Sequence, residues 1–157
     1  MSHDHADDIR RFYEAHRLEL YAYALSITRN REGAEDALHG AFASVLRQGK
    51  RPRELRPYMF RVVRNAALDL VRDDVRRNGK PLFLAEPAHE PRLALVLEDA
   101  LYGLNDDERE TVVLKIYGRL TLREIAESRQ VSINTVGSWY RRGIDKLREI
   151  FEETPNE

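Results

Sequence analysis

The chain has 157 residues, of which 42% are hydrophobic and 34% charged, and it contains no cysteine. A length of this order fits one domain or two small ones. The lack of cysteine excludes disulfide bonds, thiolate metal sites and cysteine nucleophiles. No apolar run approaches the roughly 18 residues that cross a bilayer, and the N-terminal letters MSHDHADD do not resemble a signal peptide, so we expect a soluble cytoplasmic protein.

Charge is unevenly distributed, although the formal net charge is only -1. Residues 47–80 carry 11 basic and 4 acidic side chains, a local balance of +7, whereas residues 81–157 carry 10 basic and 15 acidic ones. A local cationic surface attracts phosphates even when the whole molecule is nearly neutral. Taken alone, this pattern is more simply explained by a solvated helix face.

Apolar residues recur at helical spacing along most of the chain, which predicts an all-α fold. The first helix is expected over residues 7–28, carrying Leu18 among its apolar positions. The second follows a candidate N-cap at Asn30 and ends near residue 47. After a break that contains glycine and proline, a third helix is expected over residues 54–77.

Residues 78–91 contain one glycine and three prolines, a composition that favours a linker. We therefore predict two small helical domains, residues 1–77 and residues 92–157, joined by this linker. Four helices are expected in the second domain, at about residues 92–104, 106–118, 122–129 and 133–151.

Two of these helices begin with a capping-box pattern, in which a polar N-cap is followed three residues later by a glutamate. Asn105 precedes Glu108 in this way, and Thr121 precedes Glu124. The short helix after Thr121 is separated from the last helix by the three residues 130–132. That spacing indicates a helix-turn-helix.

The last helix has two different sides. Its apolar arc, which we expect to face the preceding helices, consists of Ile133, Val136, Tyr140, Ile144 and Leu147. Its outward side carries Asn134, Thr135, Ser138, Arg142 and Lys146. Short polar side chains followed by cations are what a helix entering the major groove requires, so DNA binding is favoured here over an ordinary helical hairpin.

The third helix is divided in a similar way. Its apolar arc consists of Met59, Val62, Val63, Ala66, Ala67 and Leu70, and the opposite side carries Arg61, Arg64, Arg72 and Arg76. Guanidinium groups suit phosphate oxygens and, through stacking, unpaired bases. Salt bridges to Asp69 and Asp73 offer these arginines an alternative role.

Three stretches resemble the extracytoplasmic-function (ECF) sigma factors of bacteria, in the order in which that family carries them. The helix of the family's second region resembles NREGAEDALHGAF, and the arginine-rich helix after it resembles YMFRVVRNAALDLVRDDVRR. The family's fourth region resembles LNDDERETVVLKIYGRLTLREIAESRQVSINTVGSWYRRGIDKLRE. The resemblance runs from about residue 9 to residue 150.

The resemblance implies a promoter-specificity subunit that binds core RNA polymerase, recognises two promoter elements and helps to melt the duplex. The polymerase would be contacted by Glu35, Asp36 and His39. The downstream promoter element would be bound by the loop from Gly49 to Arg56 and by Arg61, Arg64, Asn65, Arg72 and Arg76. The upstream element would be bound by Asn134, Thr135, Ser138, Arg141, Arg142 and Lys146. The family also implies an anti-sigma factor as a partner.

The chain departs from the family pattern in three places. His39-Gly40 replace Gln-Glu, Arg129-Gln130 replace Leu-Gly, and Gly137 and Trp139 replace a lysine and an arginine. Trp139 borders the apolar arc and is expected to pack beneath its helix. Gln130 requires either a strained backbone or a different turn.

Two other functions remain open at this point. A sigma-like decoy that sequesters an anti-sigma factor without initiating transcription would account for His39-Gly40 and for the acidic second half. A simple helix-turn-helix regulator leaves the N-terminal resemblance unexplained. We find no catalytic constellation and no phosphate-binding glycine loop, and we do not assign a metal site to His3, Asp4 and His5, so we expect no enzyme, no cofactor and no metal.

Overall fold

The computed structural model describes residues 3–79 and 99–153, and within these ranges it is helical without strands. The helices are α1 (His3–Thr28), α2 (Arg31–Gln48), α3 (Leu55–Asn78), α4 (Asp106–Ile116), α5 (Leu122–Arg129) and α6 (Ile133–Glu153), and residues 99–102 are also helical. The predicted linker beyond residue 79 and most of the helix predicted over residues 92–104 lie outside the described residues. The other predicted helices are confirmed, with ends that differ by a few residues. None of the described helices is long and apolar enough to cross a membrane.

Helices α1, α2 and α3 pack on one another as a three-helix unit. Asn30 caps α2 as predicted, since its side-chain oxygen accepts a hydrogen bond from the Gly33 amide at 2.6 Å. The apolar arc predicted for α3 is buried or half-buried, and Phe60, which lies outside that arc, is fully buried as well. Leu18 of α1 is exposed, and Leu20 is buried in its place.

Hydrogen bonds at helix ends fix where the helices of the second half of the chain begin and end. Both predicted capping boxes are present: Asn105 accepts from the Glu108 amide at 2.9 Å, and Thr121 accepts from the Glu124 amide at 3.1 Å. Helix α5 ends at Gln130 in the left-handed conformation, with φ 56° and ψ 45°. A side chain in that conformation costs on the order of 1 kcal/mol, so the turn keeps the usual geometry and is strained.

The apolar arc predicted for α6 is wrong at one position, Ile133. Val136 and Leu147 are buried and Ile144 is half-buried, but Ile133 is exposed. Side chains on a helix tilt toward its N-terminus, so a residue in the first turn extends beyond the helix end. The turn residue Val131 packs against the core there instead.

The two halves of the chain share one hydrophobic core. Buried residues from both halves form a single cluster, including Tyr23, Phe60 and Ala67 from the first half and Leu114, Leu120, Ile125 and Val136 from the second. Helix α3 packs on α5, and α1 packs on α4. The N-terminal and C-terminal units therefore lie against each other in a closed arrangement.

Candidate nucleic-acid interface

Four of the five residues predicted to bind the downstream element lie on one side of α3. Arg61, Asn65, Arg72 and Arg76 follow one another at intervals of four, seven and four residues, which places them along one helix face. Asn65, Arg72 and Arg76 are exposed and Arg61 is half-buried. Arg72 and Arg76 pair with aspartates three residues earlier at 3.5 and 3.4 Å. Such exposed pairs contribute about 1 kcal/mol or less, so a phosphate can displace them.

Two clefts adjoin this face of α3. One, of about 440 Å³, is lined by the loop from Lys50 to Glu54, by Pro57, Tyr58 and Arg61, and by Glu127 of α5. The other, of about 470 Å³, lies between α2 and α3 and includes Asn65. Tyr58 and Arg61 line both clefts, and the Arg61 guanidinium lies 5.6 Å from the Tyr58 ring centre. An aromatic ring among cations is the arrangement that holds unpaired bases with their phosphates.

Arg64 has a different environment from the other α3 arginines. It lies four residues after Phe60 and eight after Arg56, on the side of α3 that faces the C-terminal unit. Its Nε donates to Oε2 of Glu110 at 3.1 Å, across 46 residues of sequence. The Arg64 side chain is 24% exposed and the Glu110 side chain only 5%.

Glu110 is held by a second arginine from its own unit. Arg129 Nη1 lies 2.6 Å from the same oxygen, Oε2, and Arg129 Nη2 lies 2.6 Å from Oδ1 of Asp107. The Arg129 side chain is 7% exposed. A buried carboxylate therefore lies between two guanidinium groups, one from each half of the chain, which is the pairing that a buried charge requires.

Apolar and polar contacts surround this ionic cluster. Tyr23 is fully buried beside it, and burial raises the pKa of the Tyr23 hydroxyl well above its ordinary value, with the Glu110 carboxylate adding to the rise. The Phe60 ring approaches Gly118 so closely that a Cβ there would lie 3.3 Å from Cε1. Arg56 donates to the Gly118 carbonyl oxygen. The stripe formed by Arg56, Phe60 and Arg64 is thus the docking face of α3.

The predicted recognition surface on α6 is largely open. Asn134, Arg141 and Arg142 are exposed, and Thr135 and Ser138 are half-buried. Thr135 also belongs to the helix start, where its amide donates to Ser132 Oγ at 3.2 Å. The inner side carries Val136, which is fully buried.

Trp139 packs beneath α6, which confirms the prediction for this residue. Its side chain is half-buried against the shared core. The Arg129 guanidinium carbon lies 4.9 Å from its ring centre. Two of the departures from the family pattern, at positions 129 and 139, therefore contact each other.

Lys146 differs from the other residues predicted to bind the upstream element. Its Nζ donates to both carboxylate oxygens of Glu108, at 2.7 and 3.1 Å. The Glu108 side chain is 1% exposed, whereas that of Lys146 is 47% exposed. The ammonium group therefore neutralises a buried carboxylate that also caps α4.

The residues predicted to contact the polymerase lie together on α2. Glu35, Asp36 and His39 are all exposed, while the opposite side of the helix is buried in the N-terminal unit. A Cβ on Gly40 would meet nothing within 4 Å, so this surface is open. The closed arrangement leaves it accessible.

Sequence reasoning missed the residues that join the two halves, namely Phe60, Glu110, Gly118 and the role of Arg129, and it missed the pairing of the buried Glu108 with Lys146 inside the second half. Arg129 carried a signal, because an arginine stands where the family has leucine. Glu110 carried none, since an acidic residue on a predicted surface helix is ordinary.

Comparison with known families identifies both halves of the chain. Residues 12–77 match the family model for sigma-70 region 2, and residues 94–147 match that for sigma-70 region 4. The RNA polymerase sigma factor CarQ of Myxococcus xanthus is 29% identical over 94% of this chain and 91% of its own length. The ECF RNA polymerase sigma factor SigM of Bacillus subtilis is 25% identical over 95% of this chain and 98% of its own.

Solved structures share the fold. The sigma factor RpoE from Bartonella quintana, in complex with the anti-sigma factor NepR, has a TM-score of 0.77 at 18% identity and covers 94% of this chain and 99% of its own. CnrH, in complex with the cytosolic domain of CnrY, has a TM-score of 0.72 at 21% identity, covering 94% of this chain and 89% of its own. The chain belongs to the sigma-70 family and, within it, to the extracytoplasmic-function sigma factors.

Proposed function

We propose that the chain directs core RNA polymerase to specific promoters, using three surfaces with separate roles. The exposed side of α2, with Glu35, Asp36 and His39, binds the polymerase. The outer face of α3 binds the melted downstream element, and the outer face of α6 binds the upstream element as duplex. The protein is thus a DNA-binding transcription regulator whose polymerase partner supplies the catalysis.

The downstream surface suits a single strand better than a duplex. Tyr58 and Arg61 bring an aromatic ring and a cation to the clefts beside α3. Asn65 adds hydrogen-bonding groups that can distinguish bases, and Arg72 and Arg76 extend the cationic face along the strand backbone. Capture of unpaired bases in this way stabilises a melted promoter. Arg64 joins this surface when it is released from Glu110.

The upstream surface suits the major groove. Asn134, Thr135 and Ser138 are short enough to approach base edges, and Arg141 and Arg142 reach phosphates on either side. Lys146, one helical turn beyond Arg142, contributes the exposed part of its side chain. Base contacts supply discrimination and phosphate contacts supply most of the salt-sensitive affinity.

The observation that carries this proposal is the presence of both surfaces on one chain, in the order of the two sigma-70 regions that it matches. We keep the predicted domain limits, residues 1–77 and residues 92–157, with residues 78–91 as the linker. A lone helix-turn-helix regulator would have no use for the cationic clefts beside α3.

Run-off transcription with purified core polymerase and a promoter library tests the proposal. We expect transcripts that require this chain, and we expect Arg61→Ala combined with Asn65→Ala to abolish them while leaving polymerase binding intact. Arg17→Ala, which removes an exposed arginine from α1, is the control and should transcribe normally. Polymerase binding without any transcript would instead identify a decoy that sequesters an anti-sigma factor.

We also propose an anti-sigma factor as the partner that restrains the chain. The solved sigma factor RpoE was determined in complex with the anti-sigma factor NepR, and CnrH in complex with the cytosolic domain of CnrY. A partner captured from cells with the full chain should, once purified, reduce run-off transcription in proportion to the amount added. A captured protein without that effect would not qualify.

A further inference from the structure

We propose that the C-terminal unit of the free chain competes with promoter DNA for the N-terminal unit, with Glu110 and Glu127 occupying positions that DNA phosphates take in the open state. The proposal rests on the function proposed above and adds a regulatory contact to it. The contact is made by the chain itself and requires no other protein.

The first observation is the pairing of Arg64 with Glu110. A carboxylate offers a guanidinium group the same two-oxygen, negatively charged acceptor that a phosphate does. In the closed arrangement that acceptor is 5% exposed and lies 3.1 Å from Arg64 Nε. A phosphate of a DNA strand cannot reach Arg64 on this side without displacing Glu110.

The second observation is the position of Glu127. It belongs to α5, yet it lines the cationic cleft formed by the loop after α2 and by Arg61. That loop and Arg61 belong to the downstream surface. A carboxylate at the edge of the cleft lowers the local positive potential and repels an incoming phosphate.

The third observation concerns the residues that hold Glu110 in place. Arg129 fixes the Glu110 oxygen from within the C-terminal unit, and Trp139 packs under the Arg129 guanidinium. Both residues depart from the family pattern. They orient the carboxylate toward α3, so the contact is built into this chain rather than formed by chance proximity of charges.

The closed arrangement affects the three functional surfaces unequally. The polymerase surface on α2 and the groove-facing residues Asn134, Arg141 and Arg142 remain exposed. The contact reaches the downstream surface at Arg64 and at the edge of the cationic cleft, while Asn65, Arg72 and Arg76 stay exposed. The free chain can therefore meet polymerase while Arg64 and the cleft are less accessible to nonspecific nucleic acid.

Measurement of the distance between the two units tests whether the free chain is closed and whether the Arg64–Glu110 pair keeps it closed. Because the chain has no cysteine, Ala15→Cys and Glu149→Cys, at exposed positions on α1 and α6, can be spin-labelled uniquely in the full-length protein. We expect one narrow distance distribution, and we expect Glu110→Gln to add a longer, broader population by shifting the closed-to-open ratio about tenfold. Arg64→Gln, which changes the partly exposed partner and leaves the C-terminal unit intact, should do the same.

Asp107→Asn is the matched control for Glu110→Gln in the spin-label distance measurement. It removes a carboxylate from the same Arg129 but does not touch α3, so the distribution should stay narrow. If Glu110→Gln does not fold, as judged by circular dichroism, Arg64→Gln decides the outcome. Distributions that match the unmutated chain in every folded variant would overturn the proposal.

Binding of labelled oligo(dT) by fluorescence anisotropy tests the competition. Glu110→Gln with Glu127→Gln should bind about tenfold more tightly than Asp107→Asn with Glu149→Gln, which changes the net charge equally. Arg64→Gln should open the chain without this gain, because it removes the cation that is released. Equal affinities of the two double variants would overturn the competition even if the distances change. No polymerase is present, so these results and those of run-off transcription can fail independently.

Discussion

Lys146 and Arg142 allow a direct test of which cations on α6 stabilise the fold and which serve DNA. They lie one helical turn apart and were predicted from the sequence to have the same role. In the structure Lys146 pairs with the buried Glu108, whereas Arg142 is exposed. We expect Lys146→Met to lower the free energy of unfolding and Arg142→Met to leave it nearly unchanged.

The magnitude follows from the environment of Glu108. Its carboxylate is 1% exposed and keeps one other hydrogen bond, from the Asn105 amide at 3.2 Å. Hydrogen bonds to a charged group contribute about 1.5–3 kcal/mol each, and a buried charge left without its partner costs more. Water reaches the half-exposed Lys146 position and recovers part of that loss, so we expect a cost of about 2 kcal/mol.

Urea denaturation followed by tryptophan fluorescence measures this difference. Trp139 is the only tryptophan in the chain and packs against the shared core, so it reports unfolding. Arg142→Met should stay within about 0.5 kcal/mol of the unmutated protein, as surface substitutions usually do, and should weaken binding to promoter duplex. Equal stability of the two variants, with a loss of DNA binding only in Lys146→Met, would refute the reasoning.

Three further predictions concern single positions. Gly137→Ala should raise the free energy of unfolding by about 1 kcal/mol, because alanine favours a helix over glycine and a Cβ there meets nothing within 4 Å. Gly143→Ala in the same helix should lower the free energy of unfolding by about 1 kcal/mol, because its Cβ would lie 2.9 Å from Val112. Urea titration measures both changes. Asn30→Ala should cost about 1 kcal/mol through loss of the α2 cap, and Asn30→Asp, which keeps the acceptor for the Gly33 amide but loses the donor to the Thr28 carbonyl oxygen, should cost less. The raised pKa of Tyr23 means that the unfolded chain loses this proton first, so stability should fall as pH rises above about 10, and Tyr23→Phe should flatten that slope in urea titrations at several pH values.

Features that depend on local sequence were predicted with few errors. The capping boxes at Asn105 and Thr121 involve residues three apart, so the pattern alone specifies their hydrogen bonds. The strain at Gln130 follows from a side chain standing where the turn needs a left-handed residue. The prediction that Ile133 belongs to the buried arc was wrong because a helical wheel ignores the tilt of side chains at a helix end.

Features that depend on how the two units dock were not predictable. A wheel gives the orientation of Arg64 about its own helix axis, but its partner Glu110 lies 46 residues away across a segment whose path the sequence does not specify. Lys146 and Glu108 belong to the same unit, but they too are 38 residues apart, on helices whose packing the sequence does not specify. Both cations therefore looked like ligands for phosphate, since an exposed cation and one paired with a distant carboxylate have the same local sequence signal.

The uneven charge of the chain has two uses that oppose each other. In the function proposed here, the segment with a balance of +7 attracts DNA, and the C-terminal half, with 10 basic and 15 acidic residues, supplies the carboxylates that face part of it. Added positive charge on α3 would stabilise the DNA complex, but it would also stabilise the closed state through the facing carboxylates. Because these two effects oppose each other, the affinity of the free chain for DNA would rise less than it would if the chain were always open. Removal of the facing carboxylates weakens the closed state and, apart from the change in net charge, leaves the DNA-binding side chains as they are. In this proposal, positions 110 and 127 are therefore where strand access can be tuned without altering the residues proposed to contact the promoter.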